Sequence, residues 1–294
     1  MGTIAIGPVF WALSALAMAA AVAYGLYFLR QPHGFLRAIV KTTFMGAAAG
    51  ALTSAGAPFP LIAAIFLSAL GDFFLAFKSK WTLPLGILAF LLAQLTYVLM
   101  FGAVWFFSGD NSPLWPRYLA MAAIAALLIT FLIWFWRTEA FKHARLSNTL
   151  AVTALVGLGL LLPVYVITGM MALNTDPESS PSPTAFVPLA AFALAAVGLA
   201  IWRRKLGATP LVAMIYAGAI TAMAIAAMWL PWMGWPAMLG ALSFLVSDLV
   251  LAAELFRLPA DAPSRRLTAP IVWWTYVTAQ TLIVTGVMCL VLAR

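Results

Sequence analysis

Apolar stretches of about 20 residues recur from one end of this chain to the other, separated by short polar breaks. Each is long enough to cross the roughly 30 Å hydrocarbon layer of a bilayer as a helix. Charge is correspondingly scarce. Only 8% of the 294 residues are Asp, Glu, Lys or Arg, while 65% are apolar, and the mean hydropathy is +1.05. A soluble domain of this size with so few charges would have too little to offer water. The predicted fold class is therefore all-α, a polytopic transmembrane helix bundle forming a single integral membrane domain over residues 1–294. Reading apolar runs between polar breaks predicts ten spans, at roughly 4–29, 36–54, 60–77, 83–107, 117–136, 147–172, 184–202, 209–230, 234–256 and 269–293. The first lacks a basic n-region and a small-residue cleavage site and reads as a retained helix.

The basic residues give this count an independent check. The odd-numbered connections carry Arg30 and Arg37, Lys78 and Lys80, Arg137, Lys142 and Arg145, Arg203, Arg204 and Lys205, and Arg257, Arg265 and Arg266, thirteen in all. The even-numbered connections carry only Arg117. Such alternation is the positive-inside pattern, and it places both termini on the non-cytoplasmic side. It also means that the net charge of +8 is spread over one membrane face and forms no nucleic-acid-binding patch. Localisation follows: a multi-pass integral membrane protein, of the inner membrane in a bacterial cell.

Metal and disulfide chemistry find little footing. Cys289 is the only cysteine, and both histidines, His33 and His143, fall in polar connections, so neither a Cys- nor a His-built centre is expected. No metal and no cofactor is implied.

Of the eight acidic residues, Asp110, Glu139, Asp176, Glu178 and Asp261 lie in connections or at span ends. Glu254, three residues before Arg257, reads as a solvated charge at a helix end. Asp72 and Asp248 remain inside spans, where an unpaired charge costs at least a few kcal/mol and so faces a partner or a watery cavity. At 1.5 Å per residue they lie about 9 and 13 Å from the basic anchors Lys78 and Arg257, hence at one level in the inner half of the membrane. Lys41, about 6 Å beyond Arg37 on a span running the other way, reaches a similar level. Gln94 and Gln280 sit about 21 Å beyond Lys80 and Arg266, near the midplane, with Tyr216 and Tyr276 between the two levels. Ser243 and Ser247 share a face that Asp248 adjoins.

Two carboxyl groups and a lysine meeting in lipid would leave one acid neutral and proton-donating beside one ionised, as a general acid and its partner require. A structural salt bridge of Lys41 with either aspartate explains the same residues about equally well. The segments IFLSALGDFFLAF and LSFLVSDLVLAAELF, each followed by a span with Ala-Gln (Ala93-Gln94, Ala279-Gln280), also echo one another as a parallel repeat would.

The order of these elements resembles the YhhN-like lysoplasmalogenase family of integral membrane hydrolases. The matching pieces are Lys41-Thr-Thr; Leu70-Gly71-Asp72-Phe-Phe-Leu75; Gly86-x3-Phe90-x3-Gln94-x2-Tyr97; Pro210-x5-Tyr216 with Met223; Gly240-Ala-Leu-Ser-Phe244-x2-Ser247-Asp248-x2-Leu251-Ala252; and Tyr276-x2-Ala279-Gln280-x2-Ile283. They cover about residues 30–107 and 200–290. This chain departs from the family in having Thr42 after Lys41 where proline is usual, and Gln94 where histidine is usual. It also has about two spans more than the family's eight, within 117–202.

The resemblance implies hydrolysis of the vinyl-ether bond of a lysophospholipid, giving a fatty aldehyde and a glycerophospho-base. Asp72 and Asp248 would share the acid and carboxylate roles. Lys41 would contact the lipid phosphate or tune the pair, and Gln94, Tyr97, Tyr216, Ser247, Tyr276 and Gln280 would position substrate and water. The rival expectation from the same carboxylates is a proton-coupled transporter; a third is a non-catalytic scaffold, which would tolerate loss of both buried acids together.

Overall fold

The computed structural model describes residues 6–32, 34–77, 82–108, 115–136, 208–256, 258, 259 and 262–292. Among them the chain is helical throughout, with no strand. The α-helices are α1 (Pro8–Leu26), α2 (Phe35–Ser54), α3 (Phe59–Leu75), α4 (Thr82–Ser108), α5 (Trp115–Trp136), α6 (Ala208–Ala227), α7 (Trp235–Phe256) and α8 (Arg265–Leu292), with short 3-10 turns at Phe28–Arg30 and Trp232–Gly234.

Among the described residues, five stretches are long and apolar enough to cross a membrane: Pro8–Leu26, Phe35–Ser54, Thr82–Ser108, Trp232–Leu255 and Arg265–Leu292. Phe59–Leu75, Trp115–Phe131 and Ile215–Ala227 are apolar but shorter. Large apolar side chains such as Leu26, Phe59, Phe107 and Trp115 point outward, which suits a hydrocarbon solvent and would not suit water. The spans expected at 147–172 and 184–202, and the connections holding Lys78, Lys80, Arg137, His143, Arg203 and Arg257, lie outside the described residues.

The helix boundaries have local causes. Pro8 opens α1, where its missing N–H removes no intrahelical bond. The turn after α2 is a Schellman closure, with Gly56 N–H bonded to Thr53 O, Ala57 N–H to Leu52 O, and Gly56 at φ 70. α8 begins at Arg265, four residues before the apolar run expected at 269, and extends 28 residues. Its length of about 42 Å exceeds the hydrocarbon thickness, so its basic start can stand in the headgroup layer.

The chain divides into two compact units, Met1–Tyr97 with Trp232–Arg294, and Val98–Pro231. In the first, α1 packs on α2, α2 on α3, and α7 on α8. A Cβ on Gly240 would lie 2.7 Å from Ala279 O, and one on Gly286 would strike the backbone of Ala237. Glycine at these two positions lets α7 and α8 touch backbone to backbone, as membrane helices do when dispersion replaces the hydrophobic effect. Trp273 on α8 donates to Ala21 O of α1 at 3.0 Å, tying the last helix to the first. In the second unit, Arg117 donates to Trp229 O at 3.3 Å, and the Trp229 ring packs against Trp105 and Tyr118.

Candidate functional site

Helical periodicity builds the site. On α3, Ser68 and Asp72 are one turn apart and share a face; on α8, so do Tyr276 and Gln280. The two faces meet antiparallel, and they meet as rungs. In one rung, Tyr276 Oη donates to Asp72 Oδ2 at 2.8 Å, and Lys41 Nζ from α2 lies 3.0 Å from Asp72 Oδ1. One turn away, Gln280 Nε2 donates to Ser68 Oγ at 3.1 Å, while Tyr97 Oη from α4 donates to Gln280 Oε1 at 2.8 Å. Ser68 in turn donates to Ala64 O.

The first rung is charged and largely buried. Asp72 is 1% exposed, and the Lys41 side chain 16%. Around Tyr276 stand the rings of Phe244, Phe90, Trp273 and Phe44, with centroids 5.5 to 6.2 Å away. Gly71 is required here: a Cβ at that position would come within 2.5 Å of the Phe90 ring, so any side chain beside Asp72 would push this wall aside. Low-polarity surroundings strengthen each electrostatic contact inside, and both carboxylate oxygens of Asp72 are engaged. Of the alternatives open for Lys41, an ion pair with Asp72 is what forms.

Asp248 is half-buried on α7. Its neighbour Ser247 is buried and donates to Val272 O at 2.9 Å, and Ser243 donates to Thr275 O at 2.9 Å, so the serine face joins α7 to α8. Phe244, one turn before Asp248 on the same face, reaches Tyr276 and Phe90 with its ring. Asp248 therefore adjoins the seam that holds Tyr276, one turn further along. Lys41 and Tyr276 take the two oxygens of Asp72, opposite charge and a hydroxyl donor both being good partners for a carboxylate.

The other expected site residues divide by use. Gln280, Tyr97 and Ser247 spend their polar atoms on bonds between helices. Tyr216 is half-buried on α6, in the second compact unit. Gln94, 0% exposed on α4, has neither amide atom hydrogen-bonded among the described residues, and the Thr42 hydroxyl is likewise buried and unbonded there.

Three features escape the sequence reading. Ser68 completes the second rung; its signal was the four-residue spacing from Asp72, which mirrors that of Tyr276 and Gln280. Arg37 donates to Tyr24 Oη at 3.2 Å and to Gln31 O at 2.7 Å, with its guanidinium 5.6 Å from the Tyr24 ring. Glu254, expected as a solvated end charge, is buried and accepts the Thr268 hydroxyl. Its cover is the early start of α8, whose Arg265 also donates to the carbonyls of Glu254, Leu258 and Pro259.

The arrangement supplies a fixed, ion-paired carboxylate in an aromatic pocket, a second carboxyl group on the adjoining helix face, and unbonded polar groups nearby. Among the described residues no group of three or more His, Cys, Asp or Glu is placed to hold a metal ion. No curated protein and no solved structure matches the chain. The sequence profile of the YhhN family, however, matches residues 36–173 and 155–287, stretches that include Lys41, Asp72, Gln94, Asp248, Tyr276 and Gln280. This chain, with several helices long and apolar enough to cross a membrane, belongs to the YhhN family.

Proposed function

We propose that the protein is a membrane hydrolase that cleaves the vinyl-ether bond of lysoplasmalogen-type lysophospholipids. The observation that carries this reading is the buried Lys41–Asp72–Tyr276 cluster. It holds a carboxylate in one orientation inside an apolar, aromatic wall, where a developing cation would gain most from it.

A vinyl ether breaks when a proton is added to its β-carbon. The electron pair of the double bond forms the new C–H bond, and the α-carbon and oxygen carry the positive charge as an oxocarbenium ion. Water adds to the α-carbon and loses a proton, giving a hemiacetal. The hemiacetal C–O bond then breaks, releasing fatty aldehyde and the glycerol hydroxyl, so one water is consumed and the proton is returned. Asp72, ionised beside Lys41, stabilises the oxocarbenium ion and receives the proton from water. Asp248 is the proton donor. As the hemiacetal collapses, Asp72 gives its proton to the departing glycerol oxygen while Asp248 takes the proton of the hemiacetal hydroxyl, so both carboxyl groups return to their starting states. Two carboxyl groups that act on opposite sides of a reacting centre are held apart by substrate, as in glycoside hydrolysis. Lys41 acts on Asp72 and not on the lipid phosphate.

Ten spans with both termini on the non-cytoplasmic side would open this site toward the cytoplasmic leaflet, where a single-chain lysolipid can enter sideways. The test is a mass-spectrometric product assay over a panel of lysolipids, with purified wild type, Asp72→Asn and Asp248→Asn. Aldehyde release by the wild type alone supports the hydrolase. Intact lipid with proton-driven uptake in proteoliposomes would instead establish the transporter.

A further inference from the structure

The buried amide of Gln94 has a use that neither rung supplies. Gln94 stands on α4 four residues after Phe90 and three before Tyr97, so all three share a face. Both flanking residues touch the α3–α8 seam: Phe90 packs on Tyr276 and over Gly71, and Tyr97 bonds Gln280. Gln94 therefore faces the same seam, between the charged rung and the neutral one. It is 0% exposed, and neither its Nε2 nor its Oε1 has a hydrogen-bond partner among the described residues. Buried side-chain amides are nearly always satisfied, and an exception calls for a reason. Gln280, one helix away, shows what a structural glutamine does in this protein: both ends of its amide are used.

We infer that Gln94 is a specificity residue that binds, through both ends of its amide, the free secondary hydroxyl of a lysolipid's glycerol backbone. The inference rests on the lysolipid reading above and refines it. An amide with a donor and an acceptor both open fits a group that accepts at Nε2 and donates to Oε1 at once. A hydroxyl does this; an ester at the same carbon can only accept, and it brings a second acyl chain. The same two-way chemistry could be met by the water that attacks the oxocarbenium ion, so the experiment separates the two.

Binding of a non-hydrolysable alkyl-ether lysolipid is compared with that of its analogue carrying hydrogen in place of the secondary hydroxyl. Wild type, Gln94→Leu and Gln94→His are measured in detergent micelles by isothermal titration. The wild type should prefer the hydroxyl form by about 100-fold, since a buried polar group built for a hydroxyl rejects the analogue lacking it. Gln94→Leu should erase the preference by weakening binding of the hydroxyl form alone. Gln94→His, which keeps one donor and one acceptor, should retain at least about tenfold. Without lipid, Gln94→Leu should melt no lower than wild type, because it removes an amide that has no partner to lose.

Equal binding of both lipids by the wild type, no binding of either, or an equal effect of Gln94→Leu on both overturns the inference, the last pointing to water. A preserved preference with no aldehyde released from the vinyl-ether substrate leaves the hydroxyl site standing and removes the hydrolase.

Discussion

The two polar rungs between α3 and α8 lie one turn apart on the same pair of helices, yet they are built differently. The Ser68–Gln280–Tyr97 rung is neutral, and its hydrogen bonds run in one direction to end on the carbonyl of Ala64. An amide in the middle of such a chain does not pass a proton along, so this rung fixes register. The Lys41–Asp72–Tyr276 rung instead places opposite charges in an aromatic enclosure. Burying an ion pair is a poor way to gain stability, because desolvation offsets most of the attraction. A chain needing only register had the neutral solution at hand one turn away; the charged rung is where chemistry should be sought.

Substitutions can break this contrast. The largest effect is expected for Asp72→Asn, which should lower aldehyde release by about 1000-fold or more if the carboxylate stabilises the cation. Asp72→Leu should in addition destabilise the fold by about 3–5 kcal/mol, by stranding Lys41, and Lys41→Met in the same chain should restore most of that stability. Thermal unfolding in detergent reads both. Asp248→Asn should cost about 100- to 1000-fold in turnover, as loss of a general acid does, and the same product assay reads it. Tyr276→Phe removes one bond to a carboxylate and should cost about 1.5–3 kcal/mol of stability together with about tenfold in kcat. Gln280→Leu tests the other rung. It leaves the buried Tyr97 hydroxyl without its acceptor and should cost about 1–3 kcal/mol, with less than about a tenfold change in turnover per folded molecule. Equal losses of turnover in Tyr276→Phe and Gln280→Leu would erase the distinction between the rungs.

Much of this was legible before any coordinates. Counting residues from the basic anchors put Lys41 and Asp72 at one level, because helical rise is constant; they form an ion pair. It put Tyr276 between that level and Gln280; the tyrosine hydroxyl bonds Asp72 itself and so belongs to the charged rung. Three features lay beyond such counting. Depth says nothing about azimuth, so Gln94 and Gln280 read alike, although one is fully bonded and the other is not. Hydropathy marks where apolar residues start and not where a helix starts; α8 therefore begins early, at Arg265, and buries Glu254. Finally, a lone serine in an apolar helix usually returns its hydroxyl to its own backbone. Ser68 does so, and only the coordinates reveal that its oxygen also receives Gln280.

The 204 residues that separate Asp72 from Tyr276 set an order of assembly. During synthesis α2 and α3 are made long before α8, so the Lys41–Asp72 pair has both its members present early, and the tyrosine hydroxyl arrives last to finish the cluster. A ribosome stalled before Arg265 would thus leave a half-made site already charge-balanced, and therefore able to wait in lipid for its final helix.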